Sequence, residues 1–340
     1  MNNSTTLTAN LSKGLAVKRI LTGIKPTGEI QLGNYLGMVK GLVERQNKYE
    51  VFLMIADLHA QTVPYLPKKL KQLIYDLTSS LLALGVNPKK TLLFRQSDVP
   101  AHLYLYWILG CLAPVGQLQR MHEYKEQGER YGRQGIGAGI LMYPVLMAAD
   151  ILIYQADLVP IGDDQVQHLE LTRVLMRKFN QTFGQTFKIP GVLLQTETAK
   201  VMSLDQPHKK MSKSLPSGNL PIFAPEPEIR AKIKTAVTDS GSEIKYDPLN
   251  KPAVSNLMTT YKHLSGQSYQ QIEQEFKGKG YAQFKNELTK VFLSHFKAAR
   301  AQKKQINQNN VDKILAAGAK AANQMANKTL RIVMQKTGLQ

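Results

Sequence analysis

Apolar positions fall into two alternating patterns over the first third of the chain. VKRILTG (17–23), VFLMIAD (51–57) and TLLFR (91–95) are short apolar runs of the kind that form strands covered on both faces. Between them, Leu32, Leu36, Val39, Leu42 and Val43 recur at helical spacing. So do Leu70, Leu73, Ile74, Leu77, Leu81 and Leu84, a set that ends near Gly85 and Pro88. Strands alternating with amphipathic helices predict an α/β fold, a Rossmann-like, doubly wound parallel sheet. Ligands settle beyond the carboxyl ends of the strands in such sheets, so residues 23–28 and 57–62 are expected at the mouth of one crevice.

Further along, residues 100–149 read as mostly helical, interrupted at Pro114 and by GRQGIGAG (132–139). DLVPIG (157–162) is another strand and turn, and the helix after it is predicted to carry Val166, Leu169, Val174 and Leu175 on one side. Residues 203–228 are rich in Pro, Ser and Lys and lack a period, which suits an ordered functional loop or a linker. From residue 226 the pattern is helical. Tyr281, Phe284, Leu288, Val291 and Phe292 mark one helix; Val311, Ile314, Leu315 and later Ile332 mark another. The first 16 residues read as a frayed polar tail, and no internal repeat stands out.

Composition adds four constraints. At 340 residues the chain exceeds what one core usually holds, so two domains are expected, the second all-helical. Lys and Arg number 44 against 25 Asp and Glu, a net charge of +19 that calls for a polyanionic partner, nucleic acid before membrane. The single cysteine, Cys111, excludes an intramolecular disulfide and a cysteine cage for zinc or iron–sulfur, and fits a reducing cytoplasm. The N-terminal stretch lacks the apolar core of a secretory signal, and no run is long enough to span a bilayer.

Two segments carry candidate chemistry. GIKPTGEIQLGNYLG (23–37) is a Gly/Pro turn leading into a helix. Gly33 leaves the helix face open to a flat adenine or ribose, and the helix N-terminus favours phosphate. Most such segments are only turns. HKKMSKSLPSGN (208–219) places mobile lysines where they could neutralise a pyrophosphate leaving group, although most charge runs are solvated surface. Two decoys are set aside: GIGAG (135–139) lacks both GxGxxG spacing and a preceding strand, and the seven histidines include no HxxxH or HExxH, so no metal site is expected.

With PTGEIQLGN, KMSKS (210–214) and YPVLMAADILIYQADLVPIGDDQVQHLELTR (143–173) in view, the chain resembles the class I aminoacyl-tRNA synthetases, and within them the tryptophanyl-tRNA synthetases. VTDSGSEIKYD (237–247) and SGQS (265–268) are similar to that family's second domain, and the resemblance covers about residues 17–337. It implies ATP, with Mg²⁺ in the substrate complex, L-tryptophan and tRNA(Trp) as substrates. It also implies a cytoplasmic homodimer with its interface near 100–140, where Trp107 is the only tryptophan. By the same resemblance, residues 17–214 would be the catalytic domain, 215–320 an anticodon-binding domain, and the helix at 320–340 would pack back on the first.

The family's His-Ile-Gly-His-type motif falls on Gln31, Leu32, Gly33 and Asn34. Gly33 would admit the adenosine and Asn34 would contact a phosphate; the role of Gln31, which replaces the usual His, is left open. Lys25, Pro26 and Thr27 match the ATP-contacting turn, with Lys25 where many bacterial members have Gln. Lys210 and Lys213 would hold the phosphates on a loop completed by Met211, Ser212 and Ser214. Gly162, Asp163 and Asp164 would contact the ribose and adenine, and Val201 would receive the adenine through its backbone. In the amino-acid pocket Asp150 would accept the indole N–H, Met147 would pack on the ring, and Gln165 and Tyr143 would engage the ammonium and carboxylate. Val159, Ile161 and His59 would complete the walls. Tyrosyl enzymes usually carry Gln where this chain has Met147, which favours tryptophan. A carboxylate at Asp150, between LMAA and ILIY, is costly unless paired. Leu21 stands where other members often carry an aromatic residue. A catalytically silent RNA-binding paralogue and an enzyme charging a different acceptor are the competing readings.

Overall fold

In the computed structural model, residues 17–131, 137–162, 165–194, 201–211 and 217–340 are described. The expected tail at 1–16, Asp163, Asp164, Ser212, Lys213 and Ser214 lie outside them.

The chain opens with β1 (Arg19–Ile24), α1 (Leu32–Asn34), a π turn (Tyr35–Val39) and α2 (Lys40–Arg45), which run on as one helical segment. Next come β2 (Glu50–Ile55), α3 (Asp57–Ala60), α4 (Pro67–Ala83), β3 (Thr91–Arg95), α5 (Ala101–Leu112), α6 (Val115–Leu118), α7 (His122–Tyr131) and α8 (Ala138–Ile153). β4 (Leu158–Ile161), α9 (Val166–Phe183) and β5 (Gly191–Leu194) complete the sheet, in which every pairing is parallel and the order is β3-β2-β1-β4-β5. Ile20 of β1 pairs with Val51 on one side and Leu158 on the other, so the strand order reverses between β1 and β4. The crevice beyond their carboxyl ends is where such folds bind ligands.

Both faces of the sheet are covered, as wholly apolar parallel strands require. Along β2, Val51, Leu53 and Ile55 enter one buried cluster while Phe52 and Met54 enter the other. The second cluster holds residues of α5, α8, α9 and of the last helix. The first runs on without a break into the helical segment, so Leu32, Leu36 and Val39 share a core with Ile229, Leu257 and Phe284.

That segment comprises α10 (Glu226–Thr235), α11 (Pro252–Ser265), α12 (Tyr269–Glu275), α13 (Tyr281–His295), α14 (Lys297–Gln305) and α15 (Gln308–Thr337). α15 returns to the sheet and packs on the edge strand β3 and on α5. Its contact face is made of Gly318, Ala319, Ala322 and Ala326, small residues that let helix and strand backbones approach closely. At Gly318 an added methyl would overlap the Leu93 carbonyl. Asn323 Nδ2 donates to the Asp98 carbonyl at 2.8 Å and fixes the crossing.

Three expectations need correction. Val166 is exposed at the first position of α9 and Val174 is only half-buried; the buried positions are His168, Leu169, Leu171, Thr172, Leu175, Met176 and Phe179. Ile332 is likewise exposed, because the helix turns Leu330 and Val333 inward instead. β5 was not foreseen: it is four residues long, begins with Gly191 and has no alternation to mark it.

Candidate active site

The first wall of the crevice is the passage from β1 into α1. Gln31 caps the helix in extended geometry, its Oε1 accepting from Gly33 N at 2.7 Å. Asn34 Oδ1 returns the interaction by accepting from Gln31 N at 3.3 Å, completing a capping box. The other end of the Gln31 amide donates to the Met211 carbonyl at 3.2 Å. Gln31 is only 1% exposed, so one buried side chain joins the helix start to the lysine–serine loop 180 residues later. A methyl at Gly33 would meet Gln31 Oε1 at 2.9 Å and Met211 Cβ at 3.4 Å. The absent side chain thus makes room for this junction.

Backbone pairing reinforces it. Leu32 N donates to the Leu220 carbonyl at 2.9 Å, and Ile222 N to the Ile30 carbonyl at 3.1 Å. Met211 N bonds the Val201 carbonyl at 3.0 Å, and Ser203 N the Lys209 carbonyl at 2.8 Å. Asn256 of α11 grips Met202 from both sides, accepting from its N–H at 2.8 Å and donating to its carbonyl at 3.0 Å. Asp205 receives the hydroxyls of Ser203 and Ser217, each at 2.5 Å, and these bonds hold its carboxyl below the usual range. Val201 and Met211 are buried in the first core cluster, whereas Lys210 is exposed. The stretch expected to be a functional loop or linker is therefore tied to the first motif and to α11 on its described flanks.

Lys25 and Thr27 are exposed at the end of β1 with Pro26 buried between them. The Lys25 ammonium lies 5.7 Å from the centre of the Tyr143 ring. The Tyr143 hydroxyl is 2.6 Å from His168 Nε2, and His168 Nδ1 is 3.0 Å from Gln165 Oε1. Gln165 immediately precedes α9, and His168 sits one turn further on. Gly162 is exposed at the end of β4, and Val159 and Ile161 are buried within that strand.

Asp150, on α8, is 2% exposed among apolar neighbours. Its Oδ1 lies 2.6 Å from His102 Nδ1, its Oδ2 2.8 Å from His59 Nε2, and Gln96 Nε2 approaches both oxygens at 2.9 and 3.0 Å. Burial raises the pKa of such a group, but the His102 and His59 imidazoles outweigh it and hold Asp150 at about 2. The carboxylate is ionised at neutral pH and can only accept, so both imidazoles are donors to it. Met147 lies one turn before Asp150 on α8, partly buried against the same cluster as Val159 and Ile161.

Side-chain contacts therefore link Asp150 to His59, His59 to Tyr143, and Tyr143 through His168 to Gln165, with Met147 one turn from Asp150 on α8; Gln31, Gly33, Asn34, Val201 and Met211 form a second assembly. Gln96, His102, Tyr154 and His168 were missed. Gln96 had a legible signal, since it directly follows β3 at the ligand-bearing end of a parallel sheet. His168 had a weaker one, its i+3 spacing from Gln165. His102 and Tyr154 had none beyond being polar positions in apolar runs. Among the described residues, no group of three or more His, Cys, Asp or Glu is placed to hold a metal ion.

A family model described as tRNA synthetases class I (W and Y) matches residues 16–297. The tryptophan–tRNA ligase of Bacillus anthracis is 45% identical over 323 residues, spanning 94% of this chain and 98% of that one. The crystal structure of tryptophanyl-tRNA synthetase from Mycoplasma pneumoniae is 36% identical, with a TM-score of 0.85 over 96% of this chain and 99% of that one. That of the Campylobacter jejuni enzyme, complexed with ADP and tryptophan, is 34% identical, with a TM-score of 0.83 over 94% and 99%. The chain belongs to the class I tRNA synthetases of the tryptophan and tyrosine type.

Proposed function

We propose that this chain is a tryptophan–tRNA ligase that activates L-tryptophan with ATP and transfers it to tRNA(Trp). The observation that carries the choice of amino acid is Asp150, a buried carboxylate kept ionised one helical turn after Met147 and linked to Tyr143 through the His59 ring. An indole has one strong donor, its N–H, and a pre-ionised acceptor in an apolar pocket selects for it. Tyrosine carries its one side-chain donor, the phenol hydroxyl, at the far end of a single ring rather than on a second fused ring, so the two amino acids offer their donors at different depths.

The tryptophan carboxylate attacks the α-phosphorus of ATP, forming tryptophanyl-adenylate and releasing pyrophosphate. The terminal ribose hydroxyl of tRNA then takes the acyl group and AMP leaves. No protein nucleophile is needed, so catalysis consists of positioning and charge stabilisation. Lys25, Pro26, Thr27, Gly33 and Asn34 bind ATP from the helix side. Gly162, Asp163, Asp164 and Val201 hold its nucleoside, and Lys210 and Lys213, with Met211, Ser212 and Ser214, close on the phosphates. Mg²⁺ enters with ATP as part of the substrate. Gln165 and Tyr143 engage the ends of the amino acid, while His59, Val159 and Ile161 wall the pocket.

We assign tRNA anticodon reading to residues 215–320 and activation to 17–214, with the C-terminal helix returning to the sheet. A cleft of about 930 Å³ in the helical segment carries Arg230, Lys290, Lys297, Arg300 and Lys304 with one carboxylate, Glu226, paired to Arg230, a net cationic surface suited to phosphodiesters. Homodimerisation through the α5 region is supported by an apolar face that the monomer leaves exposed: Leu103, Tyr104, Trp107 (71% exposed) and Val115. We assign the enzyme to the cytoplasm, where tRNA, ATP and tryptophan meet. Among the described residues no helix is long and apolar enough to cross a membrane. ATP–pyrophosphate exchange tests the assignment: it is expected to require tryptophan, and exchange supported better by tyrosine would overturn the pocket.

A further inference from the structure

Asp150 is already full. A carboxylate offers about four lone-pair sites. His102 Nδ1 and Gln96 Nε2 occupy those of Oδ1, and His59 Nε2 with the same Gln96 nitrogen those of Oδ2. An indole N–H can reach this carboxylate only by replacing one of its donors. Gln96 and His102 have no exposed surface, whereas His59 keeps 7% and lies on α3 with its ring edge-on to Tyr143. His59 is the donor that can leave.

His102 is built to stay. Its second nitrogen, Nε2, is 2.8 Å from the Tyr154 hydroxyl, and its ring packs against Tyr154 and Phe94 at centroid distances of 5.3 and 6.2 Å. Because Asp150 only accepts, Nδ1 carries the proton toward it. With Nδ1 turned to Asp150, Nε2 faces the Tyr154 hydroxyl, which fixes the orientation of the ring. Burial, with the nearby charge of Asp150, raises the pKa of Tyr154 and keeps that hydroxyl a donor.

We propose that His102 is a positioning residue for tryptophan recognition: clamped by Tyr154, it holds the Asp150 carboxylate aimed and ionised while the indole N–H takes the place of His59 on Oδ2. The inference rests on the tryptophan-ligase reading above. His102 acts only through Asp150 and touches no substrate. The groups facing Asp150 are His59 from α3, Gln96 from the turn after β3, and His102 from α5 with Tyr154 behind it.

The test compares His102→Leu with His102→Asn in the intact enzyme, by steady-state ATP–pyrophosphate exchange with tryptophan and ATP varied separately. Removing a buried donor to a charged group should raise the KM for tryptophan on the order of 30-fold. The KM for ATP should stay within about twofold. In His102→Asn the amide nitrogen stands near the place of Nδ1, so most of the affinity should return. The role is overturned by a Leu variant whose tryptophan KM is unchanged, by equal losses for ATP and tryptophan, or by an Asn variant no better than Leu. Wild-type enzyme with no tryptophan-dependent exchange would instead overturn the functional reading, and this role with it.

Discussion

Replacing Gln31 with alanine tests the junction between the two signature segments. The substitution removes the acceptor of Gly33 N–H (2.7 Å) and the donor to the Met211 carbonyl (3.2 Å) from a site that is 1% exposed. Each neutral hydrogen bond contributes about 1 kcal/mol, and a partner left unpaired in the interior raises the cost to about 1–3 kcal/mol. The Gly33 contact is also the cap of its helix, which alone contributes about 1 kcal/mol. With partial relief by water at the half-buried Gly33, the net loss should be about 2–3 kcal/mol. Urea denaturation reads this directly, as a midpoint lower by about 1 M at unchanged slope. Because the junction sets the loop bearing Lys210 against the helix start, the KM for ATP should rise while that for tryptophan changes little. Gln31→Glu should do no better: it keeps an acceptor for Gly33 N–H but points an oxygen at the Met211 carbonyl. A loss under about 0.5 kcal/mol, with both KM values unchanged, would refute the coupling.

Three further outcomes follow from particular contacts. The folded-state pKa of Asp150 is about 2 against an ordinary 3.8, so its stabilisation is present in full above pH 4 and is lost as pH falls toward 2. The stability gap between wild type and Asp150→Asn should therefore narrow by about 2 kcal/mol across that window, and a gap that widens on acidification would contradict the assignment. Gly→Ala in a helix ordinarily stabilises by about 1 kcal/mol, but Gly318→Ala should destabilise by about 2 kcal/mol, since the methyl meets the Leu93 carbonyl; thermal unfolding gives the sign. Leu103→Asp should turn a dimer into monomers in sedimentation equilibrium and shift Trp107 emission to longer wavelength, whereas an unchanged dimer would move the interface away from α5.

The parallel sheet was legible because its strands are short and apolar throughout, and two-face burial leaves no other pattern for Val51 to Ile55. The stripe of α15 was misread at Ile332 because its contact face is glycine and alanine, chosen for closeness to β3 rather than for hydrophobicity. That Asp150 must be paired followed from its apolar surroundings alone, yet two of its three partners, Gln96 and His102, come from a turn and a helix about 50 residues away, a distance no local pattern spans. Gln31 was the least readable of all. Its role lies in a hydrogen bond to a loop 180 residues on, and the sequence shows only a departure from a histidine.

The central claim is the choice of tryptophan as the amino acid placed on tRNA. Aminoacylation of purified tRNA with each of the standard amino acids in turn tests it most directly. The account predicts an ester with tryptophan alone, on tRNA(Trp). Charging with tyrosine or another amino acid, or adenylate formation with no transfer to tRNA, would contradict it.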